Sequence, residues 1–174
     1  MEEKKNKVFG LLGKNISYSF SRGYFAEKFE LLGLNKHEYK NFDIQDIAGF
    51  SSIIKDETCL KGINVTIPYK EEVMQYLDII DDTAKAIGAV NTIKFTKSGN
   101  LKGYNTDVVG FENSIFPYFK SHHKFALILG TGGASKAIAF SLKRMGIKYK
   151  FVSRSPSKKK EISYDSISEN TLYF

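Results

Sequence analysis

One cysteine, Cys59, leaves no partner for an intrachain disulfide, so a reducing, cytoplasmic setting is expected. No histidine stands near it in sequence, and Cys59 reads as a buried, inert thiol rather than a nucleophile. No stretch reaches the ~18 apolar residues that a membrane span needs. The start, Met1-Glu2-Glu3-Lys4-Lys5-Asn6-Lys7, is charged and lacks the apolar centre of a secretory signal. No nucleic-acid motif is present. His122 and His123 are adjacent and therefore point in different directions, so no metal site is expected there.

What is present is unevenly distributed. The net charge of +7 lies entirely in residues 108–174, which hold 11 Lys or Arg against 4 Asp or Glu, whereas residues 1–107 hold 15 of each. A basic half suits a polyanionic cofactor or a solvated face; nucleic acid ranks last. A length of 174 residues leaves room for one large domain or two small ones.

The basic half opens on Phe125-Ala126-Leu127-Ile128-Leu129, which runs into Gly130-Thr131-Gly132-Gly133-Ala134-Ser135. A helical pattern follows through Ala137, Ile138, Phe140, Leu142 and Met145 to Gly146, and then a second apolar run at 149–152. Strand, glycine turn, helix and strand is the order of a dinucleotide-binding unit. Gly130 permits the turn out of the strand, Gly132 lets backbone approach a pyrophosphate, and Gly133 keeps helix and strand close. The helix N-terminus then faces the anion. Ser135 stands where the usual pattern has its third glycine. A glycine-rich turn without a ligand is the plain alternative.

NAD-binding units place an Asp or Glu about 20 residues past the glycines, to hold the ribose hydroxyls. Here the strand ends in Ser153-Arg154-Ser155, with Lys158, Lys159 and Lys160 behind, and no acid precedes Glu161. An arginine among hydroxyls suits a 2′-phosphate, so NADP is preferred to NAD. A basic surface loop is the alternative.

In the first half, residues 7–13 read as a strand and Ser17–Ser21 as a polar loop whose Ser21 caps a helix. Phe25, Phe29 and Leu32 share one face of that helix, and Gly33 stops it. Residues 37–42 read as a strand, 46–54 as a short helix and 61–65 as a third strand. Thr66 and Pro68 look like a helix entry, which puts Asn64, Thr66 and Lys70 at the carboxyl end of a strand, where open α/β sheets bind ligands. Lys70 alone is equally a solvated lysine. A short helix at 82–87 precedes strands at 89–96 and 101–104, joined by a turn at 97–100. Asp107 begins a helix to about Phe119, where it serves at least as a helix N-terminal charge. Residues 121–124 link to the glycine-loop half.

Taken in order, Ser19-Phe20-Ser21, Asn64-Val65-Thr66-Ile67-Pro68-Tyr69-Lys70, Gly88-Ala89-Val90-Asn91-Thr92, Asn105-Thr106-Asp107, Gly130–Ala134 and Ser153–Ser155 make the chain resemble the shikimate dehydrogenases from about Val8 to about Lys158. The resemblance implies an α/β fold: an N-terminal α/β substrate-binding domain over 1–107, a linking helix and linker over 108–124, and a partial Rossmann NADP-binding domain over 125–174. It implies that Ser19 and Ser21 hold the substrate carboxylate, and that Asn64, Thr66, Asn91 and Asp107 meet the ring hydroxyls. Lys70 and Asp107 would be the catalytic pair. Gly130, Thr131, Gly132, Gly133 and Ala134 would take the pyrophosphate; Ser153, Arg154, Ser155 and Lys158 would take the adenosine ribose and its phosphate. The implied activity is NADP-dependent reduction of 3-dehydroshikimate to shikimate in aromatic amino-acid biosynthesis. A quinate/shikimate dehydrogenase using NAD or NADP, or a non-catalytic shikimate-binding module, are the alternatives.

Two departures stand out. Asn15 and Tyr18 replace the family's Pro and His ahead of the serines. The family's later Asn-Thr-Thr-Pro-x-Gly stretch, Tyr, Gln and final helix have no counterpart. The chain ends at Asn170-Thr171-Leu172-Tyr173-Phe174 in an apolar run, so it reads as a fragment that is poorly active by itself.

Overall fold

The computed structural model describes residues 6–167; the charged start before Asn6 and the apolar end at 170–174 lie outside them. The chain divides into two compact units, Met1–Asn105 and Thr106–Phe174.

The first unit contains strands β1 (Lys7–Gly13), β2 (His37–Asp43), β3 (Leu60–Val65), β4 (Ile79–Ile80), β5 (Thr92–Phe95) and β6 (Leu101–Tyr104). Helices α1 (Ser21–Leu31), α2 (Phe50–Asp56) and α3 (Asp82–Ile87) lie between them. The sheet order is β2-β1-β3-β5-β6-β4. Strands β2, β1 and β3 are parallel, β5 is antiparallel to β3 and β6, and β4 is parallel to β6. Alternation along the strands sorts the side chains into two layers. Val8, Leu12, Ile63, Val65 and Ile93 pack with Phe50, Val73 and Val90 in the main core. Leu11 and Phe9 point the other way, where Ile16, Tyr39, Phe25 and Phe29 meet them. Each fully buried aliphatic side chain contributes about 1.5–3 kcal/mol, so the first layer dominates the stability of the unit.

Several local expectations are corrected. Ser21 is the first residue of α1 and not its cap; Phe20 occupies the cap position without a side-chain bond. Leu32 is exposed at the helix end, and Gly33, at φ 64°, stops the helix. The segment after β3 is not an α-helix entry: it turns through a cis Ile67–Pro68 bond into a 3₁₀ helix, Glu72–Tyr76. The strand expected from Ala89 begins at Thr92. Cys59 is exposed, in the turn before β3, because the strand turns Leu60 inward instead.

In the second unit, strands β7 (Phe125–Leu129), β8 (Lys148–Val152) and β9 (Glu161–Ile162) form a parallel sheet in the order β7-β8-β9. Helix α4 (Asp107–Ile115) passes into a 3₁₀ turn at Phe116–Tyr118, where Pro117 cannot continue an α-helix. Helix α5 (Gly133–Arg144) crosses from β7 to β8. Ile128, Ala139, Leu142 and Ile147 form the core, with Phe111 and Phe119 against it. Arg144 and Glu112 pair at 2.6 Å and tie α5 to α4. The fold is α/β, with a mixed sheet followed by the first strands of a Rossmann-like sheet.

Candidate functional site

Three segments of the first unit meet at one edge of its sheet. The loop after β1 carries Ser19 and Ser21, the turn after β3 carries Thr66 and Lys70, and the antiparallel β5 begins there with Asn91 just ahead of it. Main-chain bonds sew them together. Thr66 N–H donates to the Leu12 carbonyl at 2.9 Å, Lys14 N–H to the Ile67 carbonyl at 3.2 Å, Val65 N–H to the Asn91 carbonyl at 2.8 Å, and Val90 N–H to the Lys70 carbonyl at 2.7 Å. Gly13 permits this close approach: a Cβ on it would come within 2.5 Å of the Ile16 side chain and 2.7 Å of the Thr66 side chain, so both would have to shift.

The serine loop is pinned from β2. Asp43 accepts the N–H of Asn15 at 2.8 Å through one carboxylate oxygen and the N–H of Ile16 at 3.0 Å through the other. The Asn41 amide donates to the Ile16 carbonyl at 3.3 Å. Asn15 has φ 55°, a value the proline ring forbids, so this loop takes a path closed to the family's proline. Ser19 Oγ accepts the N–H of Ser21 at 3.3 Å, which sets the two half-buried hydroxyls on either side of the start of α1.

Asn64 is placed on the α1 side of β3. Its Oδ1 accepts from the Tyr39 hydroxyl at 2.9 Å and its Nδ2 donates to Thr92 Oγ1 at 3.4 Å. Thr92 Oγ1 in turn donates to Asn91 Oδ1 at 3.0 Å. Burial pushes the Tyr39 phenol up to about 12, which keeps it a donor. Beside this network lies a largely apolar cavity of about 520 Å³ walled by Phe9, Phe25, Phe29, Tyr39, Asn64 and Thr92. Lys70 and Asn91 are half-buried. Sequence reasoning passed over Tyr39, Asp43 and Thr92. Strand parity was the available signal, since it puts Tyr39 beside Phe9 on one face, but parity cannot show which hydroxyl a phenol meets.

In the second unit Asp107 opens α4, in its first turn. The glycine loop follows β7. Gly130 has φ 109°, open only to glycine in practice, and its N–H donates to the Val152 carbonyl at 2.9 Å. Gly132 caps α5 in an extended conformation, and a Cβ on it would meet nothing within 4 Å, so its bare face opens outward. Ser135 is buried and its hydroxyl donates back to the Gly132 carbonyl; it fits inside the first turn of α5 where the usual pattern has glycine. An outward-facing backbone at the start of a twelve-residue helix suits an anion.

After β8, Ser153 Oγ accepts the N–H of Ser155 at 3.2 Å, and Arg154, Ser155 and Lys158 are exposed. Glu161 turns inward on its own loop, accepting the N–H groups of Ser157 at 2.8 Å and Lys158 at 3.3 Å. Those bonds, that of Ser157 first, hold its carboxyl below the usual range. The acid is thereby engaged within the loop, while the cations stand in solvent. Lys160 lies over the Tyr149 ring at 4.9 Å.

Among the described residues, no helix is long and apolar enough to cross a membrane, and no group of three or more His, Cys, Asp or Glu is placed to hold a metal ion.

Residues 11–93 match the shikimate dehydrogenase substrate binding domain. A shikimate dehydrogenase (NADP(+)) of Methanococcus vannielii is 38% identical over 173 residues, covering 98% of this chain and 59% of that protein. Shikimate dehydrogenase 1 of Peptoclostridium difficile superposes with a TM-score of 0.78 at 40% identity, over 91% of this chain and 61% of that one. The shikimate 5-dehydrogenase of Thermus thermophilus, solved in complex with NADP(H) and shikimate, gives a TM-score of 0.74 at 32% identity, over 86% and 57%. The chain thus spans somewhat over half the length of these relatives. On its motifs, its fold and these likenesses, the chain is similar to the shikimate dehydrogenases, with the matched substrate binding domain at residues 11–93.

Proposed function

We propose that this chain serves the NADP-dependent interconversion of 3-dehydroshikimate and shikimate, a cytoplasmic step on the way to aromatic amino acids. The observation that carries the reading is the sewing of the serine loop, the Asn64–Lys70 turn and the Asn91 segment onto one sheet edge. Ser19 and Ser21 offer two hydroxyls to a carboxylate. Asn64, Thr66 and Asn91 offer amide and hydroxyl groups to ring hydroxyls. Lys70 supplies an ammonium for a carbonyl oxygen that gains negative charge as it is reduced, and can deliver the proton there. By the family's motif, Asp107 would be the second member of the catalytic pair. NADP, when bound, supplies the hydride.

The chain's own residues fit that cofactor. The open backbone face of Gly130–Ala134 would take the pyrophosphate, and Ser153, Arg154, Ser155 and Lys158 the ribose 2′-phosphate, because the one nearby acid is folded into its loop. The outward-facing arginine favours this over a quinate/shikimate enzyme that uses NAD. A binding-only role has one observation in its favour: the sheet edge is completed within the first unit alone.

The test is an assay of 3-dehydroshikimate-dependent NADPH oxidation on the longest protein that carries this segment, run beside calorimetric titration of shikimate into the 174-residue chain. Oxidation of NADPH supports the enzyme. Binding without oxidation in the longer protein supports the binding module, and absence of both sinks the reading.

A further inference from the structure

On the α1 side of the sheet, four side chains form a hydrogen-bonded line across three strands. Tyr39 hydroxyl donates to Asn64 Oδ1 at 2.9 Å, Asn64 Nδ2 donates to Thr92 Oγ1 at 3.4 Å, and Thr92 Oγ1 donates to Asn91 Oδ1 at 3.0 Å. Each link runs one way. A carboxamide oxygen only accepts, its NH₂ only donates, and a phenol or a threonine hydroxyl has a single proton to give. A hydroxyl can also accept, so the direction is held by the buried Tyr39 proton, which the reversed line would leave without its Asn64 acceptor, and it is passed down from there.

We propose that Tyr39 is a positioning residue that sets the amide polarity of both Asn64 and Asn91, so that each presents its NH₂ as a donor to the oxygen of a substrate hydroxyl. This rests on the reading of Asn64 and Asn91 as substrate contacts. The tyrosine is built for the task. Its ring lies on the Phe25 ring at a centroid distance of 4.4 Å and 8° between planes, and only 6% of the residue is exposed. Phe25 belongs to α1, one turn beyond Ser21, so the same helix that starts at the serine loop clamps the origin of the line. Burial keeps the phenol protonated across the working pH range, so the first link does not reverse.

Removal of the phenolic oxygen has a specific consequence. With no donor at position 39, Asn64 is free to rotate its amide by half a turn. Its oxygen then accepts from Thr92, and the threonine proton is withdrawn from Asn91. Asn91 can turn in the same way, and a donor at the substrate becomes an acceptor. A carboxamide flip conserves shape, so the effect is on hydrogen-bond polarity and hardly on packing.

The experiment uses the 174-residue chain, wild type, Tyr39→Phe, Thr92→Val and the double variant. The ¹⁵N side-chain amide resonances of Asn64 and Asn91 are followed without ligand, with Asn105, whose Nδ2 donates to the Ala89 carbonyl at 2.9 Å, as internal control. In Tyr39→Phe the Asn64 and Asn91 resonances should move and that of Asn105 should stay. Shikimate affinity, by calorimetry, should fall about tenfold in either single variant and little further in the double, as expected for one shared line. Of the shikimate analogues lacking one ring hydroxyl each, at least one should bind wild type and Tyr39→Phe equally. Unmoved Asn91 resonances overturn the proposal whatever binds. So do losses of equal size for every analogue, which would mean general loosening, and fully additive losses in the double variant. If wild type binds no shikimate, the reading of Asn64 and Asn91 as substrate contacts fails in this chain, and the ligand-free resonances still decide whether Tyr39 governs the two amides.

Discussion

The main-chain carbonyl of Lys70 accepts the N–H of Val90 at 2.7 Å, so the turn that presents this lysine is tied to the segment that presents Asn91. The tie is made by backbone and survives any change of side chain. Lys70→Ala in a longer, active protein should therefore leave the fold intact and lower turnover by ~10²–10⁴-fold, the scale of a lost general acid. Shikimate affinity should change far less. Steady-state kinetics beside calorimetry check this, and near-full turnover in the variant removes Lys70 from the chemistry.

Gly13 and Gly23 make a matched pair. A methyl at Gly13 would press into Ile16 and Thr66, at the crossing of two site loops, whereas a methyl at Gly23, inside α1, would meet nothing within 4 Å. Gly13→Ala should cost about 1–3 kcal/mol through overpacking and weaken shikimate binding. Gly23→Ala should stabilise by about 0.5–1 kcal/mol through helix propensity. Denaturant titration of the two variants gives both signs, and equal effects would discredit the close approach at Gly13.

How much of this was legible in the sequence depended on the kind of interaction. The Rossmann start was readable because Phe125–Gly146 carries its own period, turn and stop, and the structure returns β7, a positive φ at Gly130 and α5 in that order. That Asn91 joins Asn64 and Lys70 was readable only through motif order. The bonds that bring them together, such as Val65 to Asn91, join residues far apart in sequence and leave no local signature. The turn at Thr66–Lys70 reads in sequence as a helix entry, since a proline two residues after Thr is compatible with a helix start or a tight turn; the chain takes the turn and then the 3₁₀ helix Glu72–Tyr76. Asp43 and Tyr39 escaped because a strand-end acid and a strand aromatic are ordinary; their meaning lies in the loop and the amide they touch.

The misplaced thiol gives a quick check. Cys59 is exposed and lies in the turn before β3. A thiol reagent such as dithionitrobenzoate should titrate one equivalent from the folded chain without denaturant. Reaction only after unfolding would return Cys59 to the interior.

Alkaline titration tests the burial of Tyr39. Its hydroxyl is held up to about 12 in the fold, against a reference of 10.0 for an exposed tyrosine. Between those values the unfolded chain has lost the proton and the folded chain keeps it, so stability is full below pH 10 and falls as pH rises toward 12. Two pH units correspond to about 2–3 kcal/mol at most. Burial also raises Tyr69, which adds to the slope. The quantity to measure is the difference between wild type and Tyr39→Phe in urea unfolding at pH 9 and pH 11.5. The variant should lose less stability over that interval, and an equal loss would show that Tyr39 ionises as freely in the fold as out of it.

On the proposed reading, cofactor choice is decided at the loop after β8. Arg154 stands in solvent beside the hydroxyls of Ser153 and Ser155, and the carboxylate that would repel a phosphate, Glu161, is already bonded to the N–H groups of Ser157 and Lys158. A guanidinium in that position gains a charge-assisted bond from NADPH and nothing comparable from NADH. Arg154→Ala should therefore weaken NADPH binding about tenfold or more, the loss of one hydrogen bond to a charged group, and leave NADH binding nearly unchanged. Screening makes the effect larger at low ionic strength, so the NADPH difference should shrink between 20 mM and 500 mM salt. Glu161→Gln should act differently. It weakens the carboxylate's hold on the Ser157 and Lys158 amides, loosens the loop that carries Arg154, and should reduce NADPH binding without creating a preference for NADH. Fluorescence titration of both reduced cofactors against the three proteins separates these outcomes. Equal losses for NADPH and NADH in Arg154→Ala would mean that the arginine shapes the loop and does not read the phosphate.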